Sequence, residues 1–218
     1  MAGIRAELKA WDESEHPREP AGSSEGGQFA GGGGGSGGAE GGSQSTNGGK
    51  VEFTKDEKTA IGTYISDSTD INNYYRNKGE GNKEYDAAIS SLNNAIKKGT
   101  ISTEGAVWRG ISECKIARDL RKDHNAEKMI GNNVPLGGFQ STTTDENVAY
   151  EFVAGYDSQI VLEITLPKGS HALDMVPFAQ NFAKQKEVLL REGNFKITGV
   201  ERPRRGPLYV KGTYVESA

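Results

Sequence analysis

Half of the 30 glycines in this 218-residue chain fall within its first 50 residues, and that asymmetry decides which part can fold. From Ala30 to Gly49 the chain is mostly Gly and Ser. Such a tract loses backbone entropy on ordering and has almost no apolar surface to offset it, so it reads as a flexible tether. A packed core is expected only from about Val51 onward. The chain accordingly divides into a polar peptide (1–29) around the exposed aromatic Trp11, a Gly/Ser-rich linker (30–50) and one domain of ordinary size (51–218).

Charge and composition narrow the possible partners. Lys plus Arg number 4 against 7 Asp plus Glu in residues 1–50, which leaves 22 against 23 in residues 51–218. A near-neutral domain has no overall field to draw nucleic acid or an anionic membrane, although Arg202, Arg204 and Arg205 form a local basic cluster. The single cysteine, Cys114, excludes an intramolecular disulfide and fits a reducing compartment. His16, His124 and His171 lie too far apart for ligand spacing, so no metal site is expected. No apolar run approaches the ~18 residues of a membrane helix. The N-terminus also lacks the apolar core of a signal peptide.

Within 51–218 helices come first and strands later. Thr54-Lys55-Asp56-Glu57 has the form of a capping box, followed by Ile61, Tyr64 and Ile65 on one helical stripe. A short polar helix is expected around Ile71 to Tyr75. Another carries Tyr85, Ala88, Ile89, Leu92 and Ile96 and closes with Lys97-Lys98-Gly99. Ala106 to Ile111 reads as a strand with Arg109 inside it, and Cys114 to Met129 as helical. Gly137 to Thr143 reads as a turn and then a β-rich, hydroxyl-bearing strand. Thr144 is expected to cap a helix bearing Val148 and Phe152 on one face and ended by Gly155. Strands follow at Gln159–Leu166, before Leu190, at Phe195–Val200 and at Leu208–Val215. This order predicts an α+β domain whose helices pack on a mainly antiparallel β core.

Gln185-Lys186-Glu187 immediately precedes the apolar run Val188-Leu189-Leu190. Read as a strand, period two places Gln185 and Glu187 on one face and Lys186 on the other. A carboxylate beside an amide at the edge of a core is costly to desolvate, which marks a candidate site.

Four features occur in order: Trp108-Arg109-Gly110, Phe139-Gln140-Ser141-Thr142-Thr143, the strand Val161–Leu166 ending in Pro167-Lys168-Gly169, and Gln185-Lys186-Glu187. Together they resemble the arginine–serine–glutamate class of mono-ADP-ribosyltransferases, the class of clostridial exoenzymes and many phage and bacterial effectors. The resemblance covers roughly 51–218, because the helices containing Tyr64 and Ile71-Asn72 look like that family's N-terminal lobe. It implies an ADP-ribosyltransferase-like fold, with N-terminal helices on a mainly antiparallel two-sheet β core. The implied co-substrate is NAD⁺, with no metal. Glu187 would be the catalytic carboxylate, acting through the nicotinamide-ribose hydroxyl, and Ser141 would hold it in position. Arg109 would bind the phosphates or adjoining ribose, and the Gly110 backbone would approach the nicotinamide amide. Thr142 and Thr143 would support the strand, Thr143 standing where the family has serine. Tyr64 would either stack near the substrate or pack in the core.

In this class Glu at the position of Gln185 accompanies arginine-directed enzymes, and Gln accompanies enzymes that modify asparagine or other side chains. The resemblance therefore implies transfer to a protein side chain other than arginine. A target protein would dock through the loop around Phe178 and Phe182, unless those rings fold back into the domain. Residues 11–29, with His16-Pro17-Arg18 and Gly26-Gly27-Gln28-Phe29, resemble a short segment of tailed-phage head and morphogenesis proteins. Residues 1–29 are then either a docking peptide for phage head proteins or an unstructured tail. The matching site of action is the bacterial host cytoplasm, with virion association compatible. Competing readings are ADP-ribosylation of nucleic acid or a small molecule, NAD⁺ hydrolysis, and a virion or binding protein with a vestigial NAD⁺ site. The joint presence of Arg109, Ser141 and Glu187 argues against the last.

Overall fold

The computed structural model describes residues 51–217 apart from 78, 80–82, 113, 114 and 158. The N-terminal peptide with Trp11, His16 and Phe29, the Gly/Ser linker and Cys114 lie outside the described residues. In chain order the elements are α1 (Lys55–Arg76), α2 (Tyr85–Lys98), β1 (Gly105–Ile111), α3 (Lys115–Arg121), α4 (Asn125–Lys128), β2 (Asn133–Leu136), β3 (Gln140–Thr143), α5 (Glu146–Glu151), β4 (Ile160–Leu166), β5 (Leu173–Asp174), β6 (Glu187–Leu190), β7 (Gly193–Glu201) and β8 (Leu208–Glu216).

The capping box forms as its sequence requires. The Thr54 backbone N–H donates to Glu57 Oε2 (2.7 Å), and the Glu57 N–H donates to Thr54 Oγ1 (3.2 Å). Lys98 Nζ, in the last turn of α2, lies 2.6 Å from the same Glu57 oxygen and ties the end of α2 to the start of α1. The two expected N-terminal helices are one element, α1, broken at Asp67, where φ −128° and ψ 31° leave the helical region. Ile61, Tyr64 and Ile71 of α1 and Leu92 and Ile96 of α2 are buried against Phe139, Leu173, Met175 and Leu189. Full burial of each large aliphatic side chain contributes about 1.5–3 kcal/mol.

The described strands pair in the order β2-β7-β8-β4-β1-β3-β6-β5, antiparallel except for β4 with β8. β1 meets β3 at a single register pair, Trp108 with Thr143. That pair joins a five-stranded sheet (β2-β7-β8-β4-β1) to a three-stranded one (β3-β6-β5). An apolar core including Val107, Ile164, Phe195 and Val210 of the larger sheet packs with Val188 and Leu190 of β6. On the alternate face of β6, Leu189 joins the helical layer. Glu187, two residues earlier, shares that face.

Two further expected elements differ. The Cys114–Met129 helix is instead α3, a 3₁₀ turn at Lys122–His124 and α4, because Asp123 and His124 take left-handed backbone (φ 49° and 57°). α5 is capped by Asp145 rather than Thr144: its Oδ1 accepts from the Asn147 N–H at 3.0 Å. α5 also ends at Glu151, four residues before Gly155, which leaves Phe152 at its C-cap.

Candidate active site

Beyond Trp108–Thr143 the two strands diverge, and the site occupies the fork. Arg109 and Gly110 continue along β1 while Thr142 and Ser141 recede along β3. Two adjoining cavities of about 440 and 400 Å³, open mouths included, share Arg109, Ser141 and Glu187 in their walls. The helical-side cavity adds Tyr64, Ser68, Asn72 and Phe182, and the α5-side cavity adds Trp108, Gly110, Ala149, Phe152 and Gln185.

Antiparallel pairing sets the side chains. Thr143 stands opposite Glu187 and Ser141 opposite Leu189, so Ser141 and Glu187 are diagonal neighbours on one face. The Ser141 hydroxyl donates to Glu187 Oε1 at 2.5 Å. Arg109 is 5% exposed, and its Nη1 donates to the Ser141 carbonyl at 2.7 Å. A guanidinium, a hydroxyl and a carboxylate thus follow one another along the fork. Such a site can hold an anionic group at the guanidinium and stabilise a developing cation beside the carboxylate. Thr142 Oγ1 donates to the Val188 carbonyl (2.6 Å), which buttresses the β3–β6 pair.

Gln185 does reach the cavity that Glu187 lines, but not by strand alternation. β6 begins at Glu187, Gln185 closes a 3₁₀ turn (Gln180–Gln185), and Lys186 between them is left-handed at φ 46°. The period-two argument fails at that residue. A non-glycine residue there costs about 1–2 kcal/mol, so surrounding bonds must hold the turn. Thr143 supplies one: its hydroxyl donates to the Gln185 carbonyl at 2.7 Å and accepts from the Asp145 N–H at 3.0 Å.

Tyr64 has its expected core placement and also borders a cavity. It is 3% exposed and packs edge-on to Phe139 with ring centroids 5.7 Å apart, yet it lines the helical-side cavity. Burial, then the nearby Glu187 carboxylate, push its phenol pKa well above the usual tyrosine range. Gly110 is required by packing: an added Cβ would lie 2.4 Å from the Ala149 carbonyl oxygen, so β1 can approach α5 this closely only at glycine. Phe178 folds back against Phe53 (centroids 5.3 Å apart), whereas Phe182 lines the helical-side cavity.

Sequence reasoning missed several wall residues, Asn72 and Phe152 among them. Asn72 donates from Nδ2 to the Tyr64 hydroxyl (3.3 Å) and accepts at Oδ1 from the Phe139 N–H (2.8 Å), fastening α1 to the turn before β3. Gly138, at φ +72°, leaves room for it, since a Cβ there would sit 2.7 Å from Asn72 Oδ1. The available signal was the polar stripe Tyr64, Ser68, Asn72 at four-residue spacing. Phe152 was read as a helix-face residue; α5 stops before it, and it lines the cavity instead. Among the described residues no group of three or more His, Cys, Asp or Glu could hold a metal ion. No helix among them is long and apolar enough to cross a membrane.

The fold has counterparts among solved structures. The chain is similar to Plx2a, an ADP-ribosyltransferase toxin from Paenibacillus larvae, with a TM-score of 0.63 and 22% identity over 75% of this chain and 88% of that one. C3stau2 from S. aureus, solved with NAD, gives 0.60 and 18% over 76% and 89%. The Clostridium limosum C3 exoenzyme gives 0.63 and 19% over 75% and 86%. At these identities the likeness concerns the fold. No curated protein sequence matches the chain significantly. A family model described as ADP-ribosyltransferase exoenzyme matches residues 40–209, a span containing Tyr64, Arg109, Ser141, Gln185 and Glu187. The chain belongs to the ADP-ribosyltransferase exoenzyme family.

Proposed function

We propose that this protein is an NAD⁺-dependent mono-ADP-ribosyltransferase that cleaves the nicotinamide–ribose bond and transfers ADP-ribose to a protein side chain other than arginine. The observation that carries the reading is the Arg109–Ser141–Glu187 constellation in the fork, with Gln185 in the same cavity wall. NAD⁺ supplies a cationic leaving group and a pyrophosphate. Arg109, permanently charged and buried, offsets the pyrophosphate charge. Glu187, fixed by the Ser141 hydroxyl, holds the ribose hydroxyl and stabilises positive charge on the ribose ring as neutral nicotinamide departs. The acceptor's nucleophile then forms the new bond to the anomeric carbon and gives up its proton. Trp108 and Phe152 supply an apolar wall beside Gly110 that suits a flat aromatic ring.

Gln185 carries the acceptor argument. A carboxylate there would pair with a guanidinium, whereas its neutral amide both donates to and accepts from another amide or a hydroxyl. Phe182, half-buried in the wall of the helical-side cavity, is the candidate contact with a protein target. A phage- or toxin-like effector acting in a bacterial cytoplasm fits the N-terminal resemblance.

Incubation of the purified protein with NAD⁺ labelled in the adenylate moiety and bacterial lysate tests the reading. Nicotinamide release with label on a protein band is expected. Label confined to nucleic acid, or release with no label transferred, replaces protein by another acceptor or by water. Absence of nicotinamide release under all conditions contradicts the enzymatic reading.

A further inference from the structure

The turn that carries Gln185 is fastened to the first turn of α5. Lys186 Nζ lies 3.0 Å from Asp145 Oδ2, and the Lys186 carbonyl accepts from the Thr144 N–H at 3.2 Å. The other Asp145 oxygen caps α5 through the Asn147 N–H. Partial burial would raise the Asp145 carboxyl, but the hydrogen bonds from Lys186 and Asn147 outweigh it and hold it below the usual range. One aspartate thus bonds both the residue before Glu187 and the helix that leads to Ala149 and Phe152, the opposite wall of the α5-side cavity.

We propose that Lys186 and Asp145 are positioning residues: their ion pair latches the Gln185–Lys186 turn to α5 and thereby sets the width of the cavity between Glu187 and the Ala149–Phe152 wall. The left-handed backbone at Lys186 makes the latch necessary. The turn pays conformational strain, and a lysine in place of glycine there makes sense if its side chain returns more than glycine would. The pair is otherwise of a kind that adds little to global stability, with Lys186 55% and Asp145 27% exposed. Its influence therefore falls on local geometry. The proposal rests on the NAD⁺ reading of the cavity.

The test uses the full chain and calorimetric titration with carba-NAD⁺, in which a methylene replaces the ribose ring oxygen and blocks cleavage. Lys186→Ala and Asp145→Asn, the latter keeping a capping oxygen, should each weaken binding by about fivefold, and the double variant no further. Lys186→Arg should bind like wild type. Melting temperatures should stay within about 4 °C of wild type, which separates positioning from loss of fold. Wild-type binding in both single variants, or fully additive losses in the double variant, would overturn the latch. Failure of the wild-type protein itself to bind carba-NAD⁺ would instead overturn the NAD⁺ reading.

Discussion

Glu187 is oriented by a neighbour two positions away across β3, and that determines what it can do. The Ser141 hydroxyl donates to one carboxylate oxygen, which fixes the orientation of the side chain. Tyr64 faces the same cavity with its phenol pushed up by burial and then by Glu187, so it stays protonated at neutral pH and adds no second negative charge. Arg109, Ser141 and Glu187 were legible in the sequence because each sits within a short motif and the three occur in a fixed order. Gln185 was only partly legible. Alternation presumes extended backbone, and nothing in Gln-Lys-Glu announces the left-handed Lys186. At this scale Gln185→Glu is expected to create measurable ADP-ribosylation of agmatine, a free guanidine, where wild type gives none. An unchanged acceptor range in that variant would remove Gln185 from specificity.

The site exists because β1 and β3 touch at one register pair and then separate, with α5 wedged beside β1. Gly110→Ala should destabilise the domain by about 1–3 kcal/mol, since the new methyl group meets backbone rather than a movable side chain. Chemical denaturation checks this, and a variant as stable as wild type would show that α5 can retreat freely. Element by element, apolar period made α2 and β4 readable, and the Thr54–Glu57 box gave the start of α1. The fork was not readable. Neither the one-pair contact of β1 with β3 nor the early end of α5 leaves a periodic trace, because both are settled by packing between distant segments. The α3–α4 break has the same origin: two residues without glycine's freedom adopt positive φ where no glycine signals a turn.

Over the whole molecule, several carboxylates sit below their ordinary range, and acid should expose that. Hydrogen bonds from Arg202 hold Glu127 at about 2, below its ordinary 4.5. For Glu57, desolvation is outweighed by Lys98 and the Thr54 backbone, so it too is lowered. A depressed folded-state pKa stabilises above the unfolded value and is lost as pH falls through the folded one. Melting temperature should therefore hold near neutral pH and decline from about pH 4.5 toward 2, with Arg202→Ala flattening the decline. An identical acid profile for that variant would contradict the role given to the pair. Residues 1–50 carry half the glycines and none of the proposed site residues, so their removal should leave NAD⁺ cleavage intact. Lost cleavage in a folded truncation would contradict the tether. The central claim is that Glu187 is the carboxylate on which bond cleavage depends. The most direct measurement is single-turnover nicotinamide release by Glu187→Ala beside wild type. A loss of at least about a thousandfold is predicted, each tenfold being ~1.4 kcal/mol of barrier, with melting temperature retained. Near-normal release by the folded variant would contradict the account.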